Sequence, residues 1–431
     1  MPANWRRPAS DRRPIPHRFV AFRRDLCRSP RYARRMQGPK KLIELEALRG
    51  LAALVVLFHH FMLGFTPRLH GMFYAEQPYS LFGTPAFAFV NGSAAVIVFF
   101  VLSGFVLTVG ILKSQRAAGV FVAALKRWPR LALTVTVANT LAGLLMAHSL
   151  FGNAHTATLV PSSWLGLFYN WQSAGNDEVL LSVVEGATTF FTGASRYNSN
   201  LWTMYYEFWG SMIALGCAFV LVAISNRSVQ GMFLLLAWLV ASAFNANMGS
   251  FVIGVALAAI YARRSTWVWP NRTICLIVPV IIFVFGYHEN LISGRSEGWY
   301  AFSNPLAAQN PPLLRVVLHS IGAALALLLF LHVPMVKRVM SGEVGRKLGL
   351  MSFPIYLSQI LVICSISSWT YDALVHTPPV LRILVCLCVT LVGTVLLALP
   401  LAALERWWLQ LLGRFSTGAA WKRSSVQTPL P

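Results

Sequence analysis

LRGLAALVVLFHHFMLGF, residues 48–65, decides how this chain is read. It is long and apolar enough to cross a membrane as a helix. It also carries a cation, Arg49, and two imidazoles, His59 and His60. Polar groups inside a membrane helix are costly unless they face protein or a wet cavity, so their default reading is a functional site. Arg49 and His60 are eleven residues apart. At about 100° and 1.5 Å per residue they share a face to within roughly 20° and lie roughly 16 Å apart along the axis. His59 falls about 80° off that face and is the weaker candidate.

Composition supports a membrane setting. The 431 residues are 56% hydrophobic and only 12% charged. The net charge of +22 resembles a nucleic-acid signal. Its Lys and Arg, however, concentrate in the first 41 residues and a few short loops, as topology signals and anionic headgroups require. Nucleic acid is therefore not an expected partner, and membrane lipid is. The six cysteines lack metal-ligand spacing and read as small buried residues rather than a disulfide framework.

Residues 1–40 are Arg- and Pro-rich and lack the apolar core of a secretory signal. They are expected to form a basic, disordered cytoplasmic tail, with Met36 as an alternative start. Beyond them, hydropathy falls into about ten spans, near 47–65, 86–112, 130–150, 201–224, 229–246, 248–262, 272–287, 313–333, 349–369 and 380–404. Basic residues follow every second span: Lys113, Arg116, Lys126, Arg127 and Arg130, then Arg227, Arg263 and Arg264, then Lys337, Arg338, Arg346 and Lys347, then Lys422 and Arg423. The expected fold is an all-α polytopic membrane helix bundle of about ten transmembrane helices with both termini cytoplasmic. The membrane domain covers 41–411, and 412–431 forms a short cytoplasmic tail. The outer segment 151–200 is large enough for a cap or re-entrant element but not for a domain.

Other polar placements add to the first. Ser103 and Gly104 lie in the middle of the second span, where small residues permit close helix packing. Arg127 and Arg130, three residues apart at a helix start, can share one phosphate through forked donors. Glu207 falls about two turns into the fourth span, where a carboxylate needs a cationic or imidazole partner. His148, His155, His288, His319, His332 and His376 are scattered near span ends and read as interfacial polar residues.

In order and spacing, these segments resemble the acyltransferase 3 family of bacterial membrane O-acyltransferases. The resemblance runs from about Lys41 to Arg406. It rests on LEALRGLAALVVLFHHF (Glu46, Arg49, His60), FFVLSGFVL (Ser103), KRWPRL (Arg127, Arg130) and NLWTMYYEFW (Trp202, Tyr206, Glu207). FVIGVALA (Gly254), LGLMSFPIYLSQ (Ser352, Tyr356) and LERWW (Glu405, Arg406) extend it. Two positions depart from the family pattern. Gln359 stands where the family often has His, which argues against an acid/base role for it, and Phe208 replaces a second acidic residue after Glu207.

The resemblance implies transfer of an acyl group from cytoplasmic acetyl-CoA, or another acyl-CoA, to a hydroxyl of a cell-surface or lipid-linked glycan at the inner membrane. Acyl-CoA is then a co-substrate, with no permanently bound cofactor and no metal. His60 acts as base or transient acyl carrier, with Glu207 and Glu46 as candidates to orient its imidazole. Arg49, Arg127, Arg130 and Ser103 are expected at the donor. Trp202 and Tyr206 are expected at the acceptor, together with outer aromatic rings such as Trp164, Tyr169 and Trp171. A secondary transporter or flippase using the same Arg, His and Glu as a relay is the rival reading.

Overall fold

The computed structural model describes residues 42–73, 79–173, 175–291, 293–307 and 310–424, with side chains to 414. The expected tail 1–40 lies outside them. The described residues are helices and connecting turns. The principal helices are α1 (Ile43–Phe65), α2 (Gly92–Ser114), α3 (Ala118–Ala147), α4 (Asn176–Thr192), α5 (Trp202–Ala223) and α6 (Arg227–Phe244). They continue with α7 (Ala246–Arg264), α8 (Thr273–Gly286), α9 (Pro311–His332), α10 (Glu343–Val362) and α11 (Pro379–Ser424).

Nine membrane-length apolar helices occur among the described residues, with α10 extended to Ala373. The seventh expected span, α8, has only 14 residues, about 21 Å of helix against a hydrocarbon core of about 30 Å. Backbone contacts flank it: Trp269 N–H donates to the His332 carbonyl at 2.9 Å, and Asn91 Nδ2 donates to the Tyr287 carbonyl at 3.1 Å. The fifth and sixth spans are distinct helices hinged at Asn245, whose side chain caps α7 through Asn247 N at 3.0 Å. α11 runs on to Ser424, through the start of the segment expected as a tail.

Glycines set the closest approaches. A Cβ on Gly104 would lie 2.1 Å from the Phe251 carbonyl oxygen, and one on Gly254 would lie 2.2 Å from that of Val101. α2 and α7 therefore meet backbone to backbone, the packing that small residues allow where lipid supplies no hydrophobic drive. Gly50 and Gly349 do the same for α1 and α10: each would strike the other helix's backbone within 3.0 Å. These two helices run parallel, because Gly349 faces Glu46 and Ile363 faces Gly64. α1 and α2 run antiparallel, with the His59 ring against Gly92.

Segment 151–200 folds in two parts. A short helix at Asn153–Leu159 and a turn at Leu165–Leu167 lie across the end of α1, where Ser162 Oγ donates to the Leu63 carbonyl at 2.7 Å. α4 then packs along α3, with Ser182 against Gly143 and Thr136 against Gly186. The end of the connection from α4 to α5 is buried: Asn198 and Asn200 donate to the Leu357 and Tyr356 carbonyls of α10 at 2.7 and 2.6 Å. An irregular loop at this depth is stable only because protein satisfies its backbone and side chains.

Candidate active site

Midway along the bundle, α1, α2, α3, α5, α10 and α11 enclose a cavity of about 110 Å³. Arg49, Ser103, Arg127, Arg130 and Glu207 all line it, together with Thr203, Tyr356 and Glu405. Five of the nine residues singled out from the sequence thus share one space, although four helices supply them. Ser103 is eleven residues from the start of α2, and Arg49 is ten below the His59–Gly92 contact. Both therefore lie about 15–16 Å from that end.

Glu207 is the electrostatic centre. Its carboxylate accepts from Arg127 Nη2 and from Ser103 Oγ, while Arg127 Nε donates to Ser211 Oγ at 2.9 Å. Arg127 and Glu207 are both nearly buried. Arg130 lies one turn further along α3 with its side chain exposed. It lines this cavity and a second one of about 270 Å³, bounded by Leu107, Lys126, Arg127, Leu409 and Leu412. The two arginines thus stand between the bundle interior and a vestibule beside Lys126. Pro129 sits between them inside α3, and its carbonyl accepts from Trp408 Nε1 at 2.6 Å, which ties α3 to α11 here.

Glu46 does not reach His60. It pairs with Arg49 at 3.1 Å, fourteen residues and about 21 Å down the same helix from the imidazole. Glu207 is likewise engaged elsewhere. The expected carboxylate beside His60 is absent among the described residues. The His60 ring instead stacks on Trp164, with centroids 5.2 Å apart and planes 13° from parallel. The polar side chain next to it is Gln359. His60 Nδ1 and both amide atoms of Gln359 are buried without a hydrogen-bond partner among the described residues. Tyr356, on the cavity wall, is one helical turn before Gln359.

His59 has a different setting. Its Nδ1–H donates to the Val90 carbonyl at 2.9 Å, His70 Nε2 lies 3.0 Å from the same nitrogen, and the ring packs on Gly92. That is a packed, hydrogen-bonded histidine turned away from the cavity.

Trp202 and Tyr206 also lie off the cavity, at the turn between α6 and α7, where the Tyr206 hydroxyl accepts from Asn245 Nδ2 at 3.3 Å. Their rings meet edge to face at 5.6 Å, and Trp202 is 40% exposed. Trp164 and Tyr169, expected as open sugar-stacking rings, are buried instead. Tyr169 stacks on Phe151 at 3.6 Å and donates to the Tyr197 carbonyl at 2.6 Å.

The scattered histidines divide. His288, His319 and His332 are buried rather than interfacial, because the loops around α8 fold inward and supply carbonyls: Tyr287 O for His319 at 2.8 Å and Trp267 O for His332 at 2.9 Å. His155 is exposed and pairs with Asp372 at 2.8 Å. Glu405 and Tyr356 belonged to recognised segments without an assigned role. Both line the cavity, and their spacing along α11 and α10 gave no sign of it.

Residues 42–399 match a family profile described as an acyltransferase domain. No curated protein and no solved structure matches the chain.

Proposed function

The chain belongs to the acyltransferase 3 family, and from that membership we propose that it transfers an acyl group from an acyl-CoA thioester to a hydroxyl of a lipid-linked or cell-surface glycan. The coarser statement, a membrane acyltransferase, follows from the family match and the apolar helices. The donor and acceptor are the proposal.

One observation carries it: a mid-bundle cavity walled by Arg49, Arg127 and Arg130, with His60 outside its lining, eleven residues further along α1 from Arg49. Phosphates of CoA suit forked guanidinium donors, and Lys126 and Arg130 bound the vestibule leading in. The positive-inside rule assigns that end of the bundle to the cytoplasm. The thin pantetheine arm then runs past Ser103 and Tyr356 towards His60, a rise of about 16 Å from Arg49. His60 takes the acceptor's proton as its oxygen attacks the thioester, and the leaving thiolate recovers it. Trp202, open on the flank of the bundle, offers a flat ring to an acceptor carried by lipid.

Purified protein in nanodiscs, given radiolabelled acetyl-CoA and a membrane extract rich in lipid-linked glycan, tests this reading. Label should enter the glycan fraction with wild type and not with His60→Ala. Equal labelling by both proteins, or none by either, refutes the assignment.

A further inference from the structure

Three buried polar atoms converge one helical turn beyond the arginine cavity: His60 Nδ1, Gln359 Nε2 and Gln359 Oε1. None has a hydrogen-bond partner among the described residues. An unsatisfied buried amide is unusual and costly. The side chain is 0% exposed, so bulk water does not relieve the cost. The register of α1 against α10, fixed by Gly349 on Glu46 and Ile363 on Gly64, makes this arrangement a consequence of the fold. Trp164, which stacks on His60, belongs with Phe61, Leu63, Ile360 and Ile363 to one apolar cluster.

The carboxylates on the surrounding elements are committed elsewhere. Glu207 binds Arg127 and Ser103, Glu46 binds Arg49, and Glu178 accepts from Trp171 at 3.2 Å and from Tyr197. Among the described residues, none of these three carboxylates is therefore free to steady an imidazolium here. A neutral amide does something different: it presents an N–H to a developing negative charge and cannot take the proton away. No backbone group or third side chain among the described residues holds the Gln359 amide, so it can turn its NH₂ inward.

We propose that Gln359 is the oxyanion donor of the transfer step, an inference that rests on the acyltransferase reading above. His60 Nδ1 accepts the proton of the acceptor hydroxyl, and the freed oxygen attacks the thioester carbonyl carbon. The carbonyl electron pair moves to its oxygen, which accepts from Gln359 Nε2–H. Collapse of the intermediate re-forms the carbonyl and breaks the C–S bond, and the thiolate takes the proton from His60. One ester and one free thiol result, and both side chains return to their starting state.

Three substitutions at this position test the assignment in nanodisc-embedded protein: Gln359→Leu, Gln359→Glu and Gln359→His. Loss of a single oxyanion donor costs about 10²–10³ in kcat. Gln359→Leu and Gln359→Glu should both show that loss with the KM for acetyl-CoA nearly unchanged, and Gln359→His, which restores an N–H, should recover at least part of it. Near-wild-type kcat for Gln359→Leu overturns the proposal. So does a Gln359→Glu protein that outperforms Gln359→Leu, since an acceptor at 359 would then be steadying the His60 ring instead. The near-isosteric Glu variant carries the test if the Leu variant fails to fold. Wild-type protein without His60-dependent transfer refutes the parent reading, whereas an active wild type with an indifferent Gln359 refutes only the oxyanion role.

Discussion

Arg127 and Glu207 form a nearly buried ion pair across α3 and α5, and Ser103 of α2 and Ser211 of α5 complete it with hydrogen bonds. Breaking such a pair leaves one charge buried alone, at a cost of about 3–5 kcal/mol, whereas replacing both partners by apolar groups is often neutral. Arg127→Met and Glu207→Leu should each lower the melting temperature of the detergent-solubilised protein substantially. The double variant should melt closer to wild type than either single one. Additive losses in the double variant would show that the two charges are not coupled.

His60 and His59 are neighbours in different settings, one stacked on Trp164 and the other bonded to the Val90 carbonyl. His60→Ala should lower transfer on the order of 10²-fold or more, the usual worth of a general base, with little change in melting temperature. His59→Ala removes the bond to Val90 and opens a gap beside Gly92. It should melt earlier yet keep most of its activity well below that temperature. Equal activity losses from the two substitutions would contradict the division.

Much of this architecture is legible in the residues. Arg49, Ser103, Arg127, Arg130 and Glu207 each stand out because charge or polarity at membrane depth is costly, and that cost brings them to one cavity. The helical phase that separates His60 from His59 also follows from spacing alone. What surrounds His60 does not. Gln359 reaches it through the parallel register of α1 and α10, set by Gly50 and Gly349. Trp164 reaches it because an irregular segment folds back over the end of α1. The buried states of His288 and His319 depend in the same way on loop carbonyls that no periodicity encodes.

Two histidines outside the spans link stability to pH. Burial holds His70 and His288 well below the ordinary imidazole value of 6.5, and for His288 the Arg315 cation adds to the effect. In the unfolded chain both take up protons as the pH falls through about 6.5, while in the fold they remain neutral, so the unfolded state binds more protons and stability falls with pH. The slope is at most about 1.4 kcal/mol per pH unit for each histidine. Melting temperature should therefore drop between pH 7 and 5, and more gently for His70→Gln or His288→Gln. A variant with the wild-type slope would remove that histidine from the account.

The donor site is best probed at Arg130, because Arg127 is tied to Glu207 and its loss would confound folding with binding. Arg130 is exposed, lines both cavities and is not held in the central ion pair. A guanidinium there can fork onto a phosphate, and an ammonium keeps the charge but loses the second donor. Arg130→Lys should therefore raise the KM for acetyl-CoA modestly and Arg130→Glu strongly, on the order of tenfold for each 1.4 kcal/mol of lost contact, with acceptor affinity little changed. Trp202→Ala should do the reverse, weakening the acceptor and sparing the donor, because its ring lies off the arginine cavity. Inverted membrane vesicles, which present the cytoplasmic face to added nucleotide, give both constants in one assay. An unchanged acetyl-CoA KM for Arg130→Glu would move the donor away from this end of the bundle.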